Sequence, residues 1–546
     1  MSGTDDDHAH RSLFAGLRIV SLLTLVSRVL GLLRDTGMAV LFGNGAVLDA
    51  FSVAFRLPNL ARRIFGEGAL TSAFLPIFVR EMEQSGKESA WRLASAVLLL
   101  LAMLLAGIVF AVELLLWLAV SVFDLTDNAE LLVGLTAVML PYLLLICLAA
   151  QISAVLHALG HFTLPALLPA FLNIVWLSTV WLVAPRFASP TTQIYVIAVS
   201  IPLAGCLQLL LQCPVLWRFG FRPGGGLRHR PREWIESVRD PLREIRRAVL
   251  PILIGISVGQ FNSVLDSFIA WGLAAPEGGA AAVISLRPLE SGTASALYLG
   301  QRMYQFPLGV FGIALGTVLF PLLARHAERD QLQKLRDDLT LGLRLVSCVG
   351  LPASAGLVLL ARPLTELLFQ YGEFNSHDAD QTSAMTAVYG CGVWIYCSIL
   401  LLNRGFYAVG DQRTPMIIGC RTLLINLVLN LTLIWLIGGV GLAVGTVAAS
   451  AIQLWLIMRS FENRLGKLNR TALMATTLRS IPATVLMCAA CLATLTVLPA
   501  GEDFTHRLLR VSMSIAASVA VYAGVARLLG MNELWMLLKP GSVTTD

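Results

Sequence analysis

The sequence predicts an all-α, polytopic membrane protein, and three observations predict it. Hydrophobic residues fill 56% of its 546 positions and charged residues only 14%, against about 25% charged in an ordinary soluble protein. Apolar runs close to the ~20 residues that cross a bilayer recur along the whole chain, among them Ala96–Val112, Leu131–Ala150, Leu423–Ile437 and Ile481–Leu498. Arginine and lysine gather in alternate connections between those runs, as in a chain threaded back and forth through a membrane. So little charge would not cover a string of soluble domains. The net charge of +6 calls for no nucleic-acid partner, because its distribution over the connections accounts for it.

Taken in order, the apolar runs give about fourteen spans: 19–41, 47–78, 93–120, 131–156, 164–184, 193–217, 248–270, 292–323, 338–361, 382–403, 414–436, 440–458, 480–498 and 508–526. The polar, acidic start Met1–Arg11 shows no cleavage-site pattern before the first run, so that run reads as an uncleaved signal-anchor. The second and eighth spans are long and contain Pro58 and Pro307, which predicts kinks there. Between the sixth and seventh spans lies the longest polar connection, 218–247, with nine arginines. Its amphipathic piece Trp234–Arg247 predicts a cytoplasmic surface helix lying on anionic headgroups. Nearly all basic loop residues fall on the side of the amino terminus, against Arg186, Arg287, Arg362 and Arg507 opposite. The positive-inside rule then places both termini in the cytoplasm.

The chain also repeats itself. Leu156-His-Ala-Leu-Gly-His-Phe-Thr-Leu-Pro165 aligns with Phe406-Tyr-Ala-Val-Gly-Asp-Gln-Arg-Thr-Pro415 at an offset of 250, and Arg56 with Arg302 at 246. Six spans per copy is an even number, so both copies enter from the same side, related by an axis along the membrane normal. The expected organisation is two pseudo-symmetric six-helix bundles plus two further helices. The first lobe spans 1–217, the linker 218–247, the second lobe 248–461, and 462–546 holds spans thirteen and fourteen. Repeats of this kind point to a transporter rather than an enzyme, and nothing in the chain suggests catalysis.

The function is written in charges placed where charges are expensive. An arginine at the bilayer centre costs about 2.5–3.5 kcal/mol even on the lenient insertion scale. Yet Arg28, Arg34, Arg56, Arg62, Arg63 and Arg302 fall within spans, facing only Asp35, Asp49 and Glu67. At 100° per residue, Asp49, Arg56, Arg63 and Glu67 lie within about 40° of one line. Such a stripe faces a partner helix or a water-filled cavity, never lipid tails. A self-neutralised network, with Arg63 on Glu67 and Arg28 on Asp49 or Asp35, is the bland alternative. The surplus of guanidinium groups favours an anionic, phosphate-bearing solute or lipid.

The segments that carry these charges are Ser27-Arg-Val-Leu-Gly31, Arg34-Asp35, Asp49-Ala-Phe51, Ala54-Phe-Arg-Leu-Pro-Asn59 and Arg62-Arg-Ile-Phe-Gly-Glu-Gly68. They closely resemble the MurJ/MviN-type lipid II flippases of the multidrug/oligosaccharidyl-lipid/polysaccharide exporter superfamily. Gln305-Phe-Pro-Leu-Gly-Val-Phe-Gly-Ile-Ala-Leu-Gly316 and Phe406-Tyr-Ala with Arg413-Thr-Pro415 strengthen the resemblance, which runs from about Ser21 to Phe461. It implies transport of undecaprenyl-diphosphate-linked peptidoglycan precursor (lipid II) from the inner to the outer leaflet of the cytoplasmic membrane. By the same resemblance, Arg28, Arg34, Arg56 and Arg302 line a cationic cavity and Asp49 is an acid near it. Arg62 or Arg63, with Glu67, belongs to the second span's functional segment. The last two spans form an apolar groove for the polyprenyl tail. Membrane lipids and the cell-wall synthesis machinery are the further partners it implies.

No Gly-x-x-x-x-Gly-Lys-Ser/Thr loop occurs, so no ATPase of that kind drives transport. Asp266, the only acid in the seventh span, together with Asn426, Asn430 and Thr446, makes a candidate sodium or proton site; a helix-packing network is the alternative. The membrane potential acting on a charged cavity is another source of energy. No other cofactor is expected. Cys488-x-x-Cys491 sits among apolar residues and reads as core rather than redox chemistry. Rival functions are an O-antigen-type flippase and a cation-coupled drug exporter, which calls for an acidic cavity instead.

Overall fold

The computed structural model describes residues 3–66, 69–221, 231–275, 287–499, 501 and 503–536. Glu67 and most of the 271–291 connection lie outside the described residues. Among those described, the secondary structure is helical apart from one bridged pair, Ala274 with Leu289. The chain forms two compact units, Met1–Val264 and Leu265–Asp546.

The first unit opens with α1 (Gly3–Phe42), which Gly43 ends at φ 60° while donating its N–H to the Ala39 carbonyl. Only glycine takes such a backbone without strain. The second span is α2 (Ala46–Ala61), a π-helical turn at Arg62–Gly66, and α3 (Ala69–Gln84). Next come α4 (Gly86–Val122), then α5 (Asp127–Met139) and α6 (Pro141–Ala158), broken at the proline. Helix α7 (Thr163–Ser178) runs into a second π turn at Thr179–Val183, and α8 (Pro190–Arg218) follows. Helix α9 (Pro231–Gly272) carries the chain out of the unit. Helix α1 packs on α7, α2 on α5 and α6 on α8. Phe51 and Phe55 meet the ring of Trp176 edge-on, with centroids 5.4 and 4.9 Å apart, a geometry that aromatic quadrupoles favour.

The second unit takes in the end of α9 from Leu265 and goes on with α10 (Thr293–Pro307), a π turn at Leu308–Ile313, and α11 (Ala314–Glu328). It continues with α12 (Leu332–Leu359), α13 (Ala361–Leu368), α14 (Ser376–Cys391) and α15 (Val393–Ala408). Helices α16 (Arg413–Ile437), α17 (Val440–Leu465), α18 (Arg470–Val497), α19 (Phe504–Leu528) and α20 (Asn532–Met536) complete it. The α18–α19 pair is anchored through α12, where Cys348, Ala483, Met487, Tyr522, Ala526 and Met531 form one buried cluster. Cys491 is likewise buried and unbridged. Glu533 of α20 closes the anchor, accepting from Thr476 at 2.8 Å and pairing with Arg344. Burial alone would raise its pKa, but its own backbone N–H, Thr476 and Arg344 hold it below the usual carboxylate range.

Ten helical segments among the described residues are long and apolar enough to cross a bilayer, and the pair α14–α15, bent by 44°, makes an eleventh. The other expected spans, first, second and seventh, fall on α1, on α2 with α3, and on α9. Those three carry the in-span charges apart from Arg302, which lies on the eighth. A π turn follows each of the two prolines, at Arg62–Gly66 after Pro58 and at Leu308–Ile313 after Pro307. The repeat also becomes geometry. Gly160 and Gly410 both take positive φ, and behind each the same pair of bonds closes the helix, His161 N–H to Leu156 O and Asp411 N–H to Phe406 O, as in a Schellman turn.

The linker differs from expectation. The amphipathic stretch Trp234–Arg247 is no separate surface helix but the first part of α9, continuous with the seventh span. The division between units falls after Val264, not within 218–247. The reason is local: α9 is tied to α3 by a bidentate Arg80–Glu244 pair and to the second span by Arg56 and Arg63. The Arg80 hydrogen bond holds the Glu244 carboxyl below its usual pKa.

Candidate functional site

Helix α2 starts at Ala46 and its first turn buries Asp49, 2% exposed. Two turns further along the same face comes Arg56, and two more turns bring Arg63, at the π turn. Both arginines reach α9. Arg56 donates to the hydroxyl of Ser263, and Arg63 Nη1 donates to Gln260 Oε1 at 2.9 Å. Ser263 and Gln260 are three apart, hence on one face of α9. The stripe read from helical spacing therefore faces a partner helix. Arg62 points elsewhere and bonds back to Asn59 Oδ1 at 3.1 and 3.2 Å.

The first span divides its arginines between two roles. Arg34 is buried against its neighbour Asp35, with Nε and Nη2 donating to Oδ1 at 3.0 and 2.7 Å. Its Nη1 donates to Asn173 Oδ1 at 3.1 Å, and its guanidinium lies 4.1 Å from the Trp176 ring centroid. Asn173 in turn donates to the Ser27 carbonyl. Arg34 thus stitches α1 to α7, and Asp35, which spacing pairs with Arg28, is taken by Arg34. Arg28 lies about 9 Å further along the helix axis at 1.5 Å per residue. It is exposed and makes no hydrogen bond or ion pair among the described residues.

In the second unit, Arg302 on α10 donates to the Tyr298 hydroxyl at 2.7 Å and lies over that ring at 4.9 Å. A separate polar cluster joins the other four residues singled out from the sequence. Asp266 accepts from Asn430 Nδ2 at 2.6 Å and from the Thr446 hydroxyl at 3.0 Å. Asn430 also donates to Asn426 Oδ1 at 3.0 Å, and Asn426 donates to Thr446 at 3.2 Å. Asp266, Asn426 and Asn430 are each at most 2% exposed. A Cβ on Gly445 would come within 2.2 Å of Asn430 Oδ1, so glycine there makes room for that oxygen. No group of three His, Cys, Asp or Glu suited to a metal occurs among the described residues.

The family model described as lipid II flippase MurJ matches residues 38–539. The chain belongs to the MurJ family. It is 34% identical over 466 residues to the probable lipid II flippase MurJ of Vibrio cholerae, covering 81% of this chain and 82% of that one. To the lipid II flippase MurJ of Burkholderia cenocepacia it is 32% identical over 460 residues, covering 83% and 84%. Among solved structures it is similar to a lipid II flippase MurJ in the inward closed conformation, with a TM-score of 0.72 at 21% identity, covering 94% and 99%. An inward-facing MATE multidrug transporter shares the fold at a TM-score of 0.63 and 15% identity, covering 84% and 99%.

Within this MurJ family chain, sequence reasoning passed over the partners of the arginines. Asn173 is a polar residue inside an apolar run, and Gln260 and Ser263 sit at i, i+3 on the seventh span. Those were the signals available. Tyr298, four residues before Arg302, is the same signal on α10.

Proposed function

We propose that this chain flips lipid II from the inner to the outer leaflet of the cytoplasmic membrane by alternating access, with both termini in the cytoplasm. Its family membership supports the reading, and the observation that carries it is the Arg56–Arg63 stripe inside a membrane-spanning helix. A diphosphate with sugars and peptide does not cross ~30 Å of hydrocarbon unaided, whereas its polyprenyl tail stays in lipid throughout. Guanidinium groups replace the water that the phosphates lose, and their planar fork matches phosphate oxygens. Arg28, Arg56 and Arg302 are the proposed contacts with the diphosphate. Arg34, buried and bonded to Asp35, holds α1 to α7 so that Arg28 is presented in a fixed register. The α18–α19 pair is the proposed seat of the tail.

For the energy source we propose a small monovalent cation, sodium or a proton, at Asp266, Asn426, Asn430 and Thr446. The donor set fits: a carboxylate, two amide oxygens within reach by rotation and a hydroxyl are hard oxygen ligands. Gly445 leaves Asn430 Oδ1 the place that a side chain there would fill. A bound cation supplies charge compensation for Asp266; the side chains themselves hold that carboxylate in place when the cation leaves. The membrane potential adds to the drive.

The test is depletion. Cells losing this protein should accumulate lipid-linked peptidoglycan precursor in the inner leaflet, and re-expression should clear it. Unchanged leaflet distribution would contradict the reading.

A further inference from the structure

The second span of each unit breaks from α-helix to π-helix at the same place in the repeat. In the first unit the π turn is Arg62–Gly66, and in the second it is Leu308–Ile313. Ile64-Phe65-Gly66 and Val310-Phe311-Gly312 correspond at an offset of 246, the same offset that relates Arg56 to Arg302. The wider turn is therefore a repeated feature rather than an accident of one helix. The π turn at Thr179–Val183, by contrast, has no partner, because α16, the equivalent span, is α-helical throughout.

Each paired π turn also packs against the same neighbour, the fourth span of its own unit, α6 in the first and α15 in the second. The contact is made by a cysteine in both. Cys147 of α6 is fully buried, and its thiol lies 3.6 Å from the Ala61 carbonyl at the start of the first π turn. Cys397 of α15 is 1% exposed, and its sulfur would stand 2.8 Å from a Cβ placed on Gly312 in the second π turn. The two cysteines are 250 residues apart, the offset of the fourth-to-fifth-span repeat. So a buried thiol at equivalent positions of the fourth span stands beside the π turn in both copies, at the end where the turn begins in the first and at its glycine in the second.

A π turn closes i→i+5 hydrogen bonds, is rare, and occurs mostly as a single turn inside an α-helix, frequently at functional sites. Moving one residue into or out of such a turn rotates everything beyond it by about 100° without unfolding the helix. Sulfur is soft and polarizable, and a small side chain lets the turn slide across its neighbour. We infer that the two π turns are a matched pair of hinges in the arginine-bearing spans, with Cys147 and Cys397 as their pivots. Each hinge lies two turns or less beyond its arginine, so flexing there re-aims Arg56 in one copy and Arg302 in the other. The inference deepens the proposed transport reading and rests on it for its functional arm alone.

The experiment uses the full-length protein in lipid nanodiscs. Backbone hydrogen exchange without ligand should be about tenfold or more faster at 62–66 and 308–313 than in the adjoining turns of α2 and α10, in both units alike. Equal protection throughout either span would overturn the paired hinge, whatever the protein transports. The functional arm adds a methyl group at the pivot. Gly312→Ala should keep its membrane level while lipid II flipping falls about tenfold, and Gly312→Ala with Cys397→Ala should recover it. Undiminished flipping by Gly312→Ala, or a loss that the second substitution leaves in place in a folded protein, would overturn the inference. If Gly312→Ala does not accumulate, the exchange measurement decides. A wild type that flips nothing while its π turns exchange fast would sink the transport reading and leave the hinge standing.

Discussion

Ser263 and Asp266 are less than one helical turn apart on α9, yet they belong to different compact units. Ser263 accepts from Arg56, and Asp266 accepts from Asn430 and Thr446. One helix therefore carries, within three residues, a partner of the arginine stripe and the carboxylate of the candidate cation site. If that arginine needs its charge for an anionic ligand, a carboxylate at 263 should capture it. Ser263→Asp is expected to reduce lipid II flipping by about tenfold through a charge-assisted bond to Arg56, while Ser263→Ala is tolerated. Flipping in membranes containing equal amounts of each variant checks this.

Arg28 and Arg302 should matter for transport and little for insertion. Arg28→Ala and Arg302→Ala are each expected to abolish flipping with the protein still present in the membrane at its usual level. Position 56 separates charge from fork: Arg56 already spends Nη1 on Ser263, so Arg56→Lys, which keeps the charge, is expected to retain most activity. Complementation of depleted cells, with membrane levels measured alongside, separates these outcomes.

Arg34 and Asp35 predict a stability effect instead. Both are buried, at 5% and 3% exposure, and removing one partner of a buried pair costs about 3–5 kcal/mol. Asp35→Asn keeps a hydrogen-bond acceptor but loses the charge, so a loss of about 3 kcal/mol is expected. Denaturation of the purified protein in detergent measures it.

Glu533 predicts a pH window. Its folded pKa lies below the ordinary value, which for glutamate is about 4.3. Its contribution to stability is thus fully present above the ordinary value and is lost as pH falls through the folded one. The melting temperature of wild type should exceed that of Glu533→Gln by a constant margin between about pH 6 and 8, and the margin should shrink below about pH 4. Melting curves of both proteins across that range check the sign.

Asp266 predicts cation dependence. If Asp266 and its three neighbours hold the coupling ion, Asp266→Asn should abolish the stimulation of flipping by a sodium or proton gradient. Flipping in vesicles with and without each gradient reads this directly.

The fold was legible because hydrophobic runs, basic connections and the repeat all follow from physics that acts locally. The stripe of Asp49, Arg56 and Arg63 was legible for the same reason, since helical spacing alone puts those residues on one face. Partners across helices were not. The bland alternative set Arg28 on Asp49 or Asp35, but the side chains of Arg34 and Asp35 fold back on each other while Asn173 and Trp176 complete the shell. Nor does periodicity tell a proline kink from a π turn, because each interrupts the helical repeat within the same few residues after Pro58 or Pro307. The long polar stretch before the seventh span looked like a linker because charge was read as exposure. Glu244 is indeed exposed, but it sits on one continuous α9 and binds Arg80.

The most direct measurement is flipping of purified lipid II by the protein reconstituted alone in vesicles, read with a membrane-impermeant reagent that modifies only outward-facing headgroups. Wild type should expose the lipid to the reagent and the Arg28→Ala/Arg302→Ala double variant should not. Equal exposure by the two proteins would contradict the claim that these guanidinium groups carry the diphosphate across.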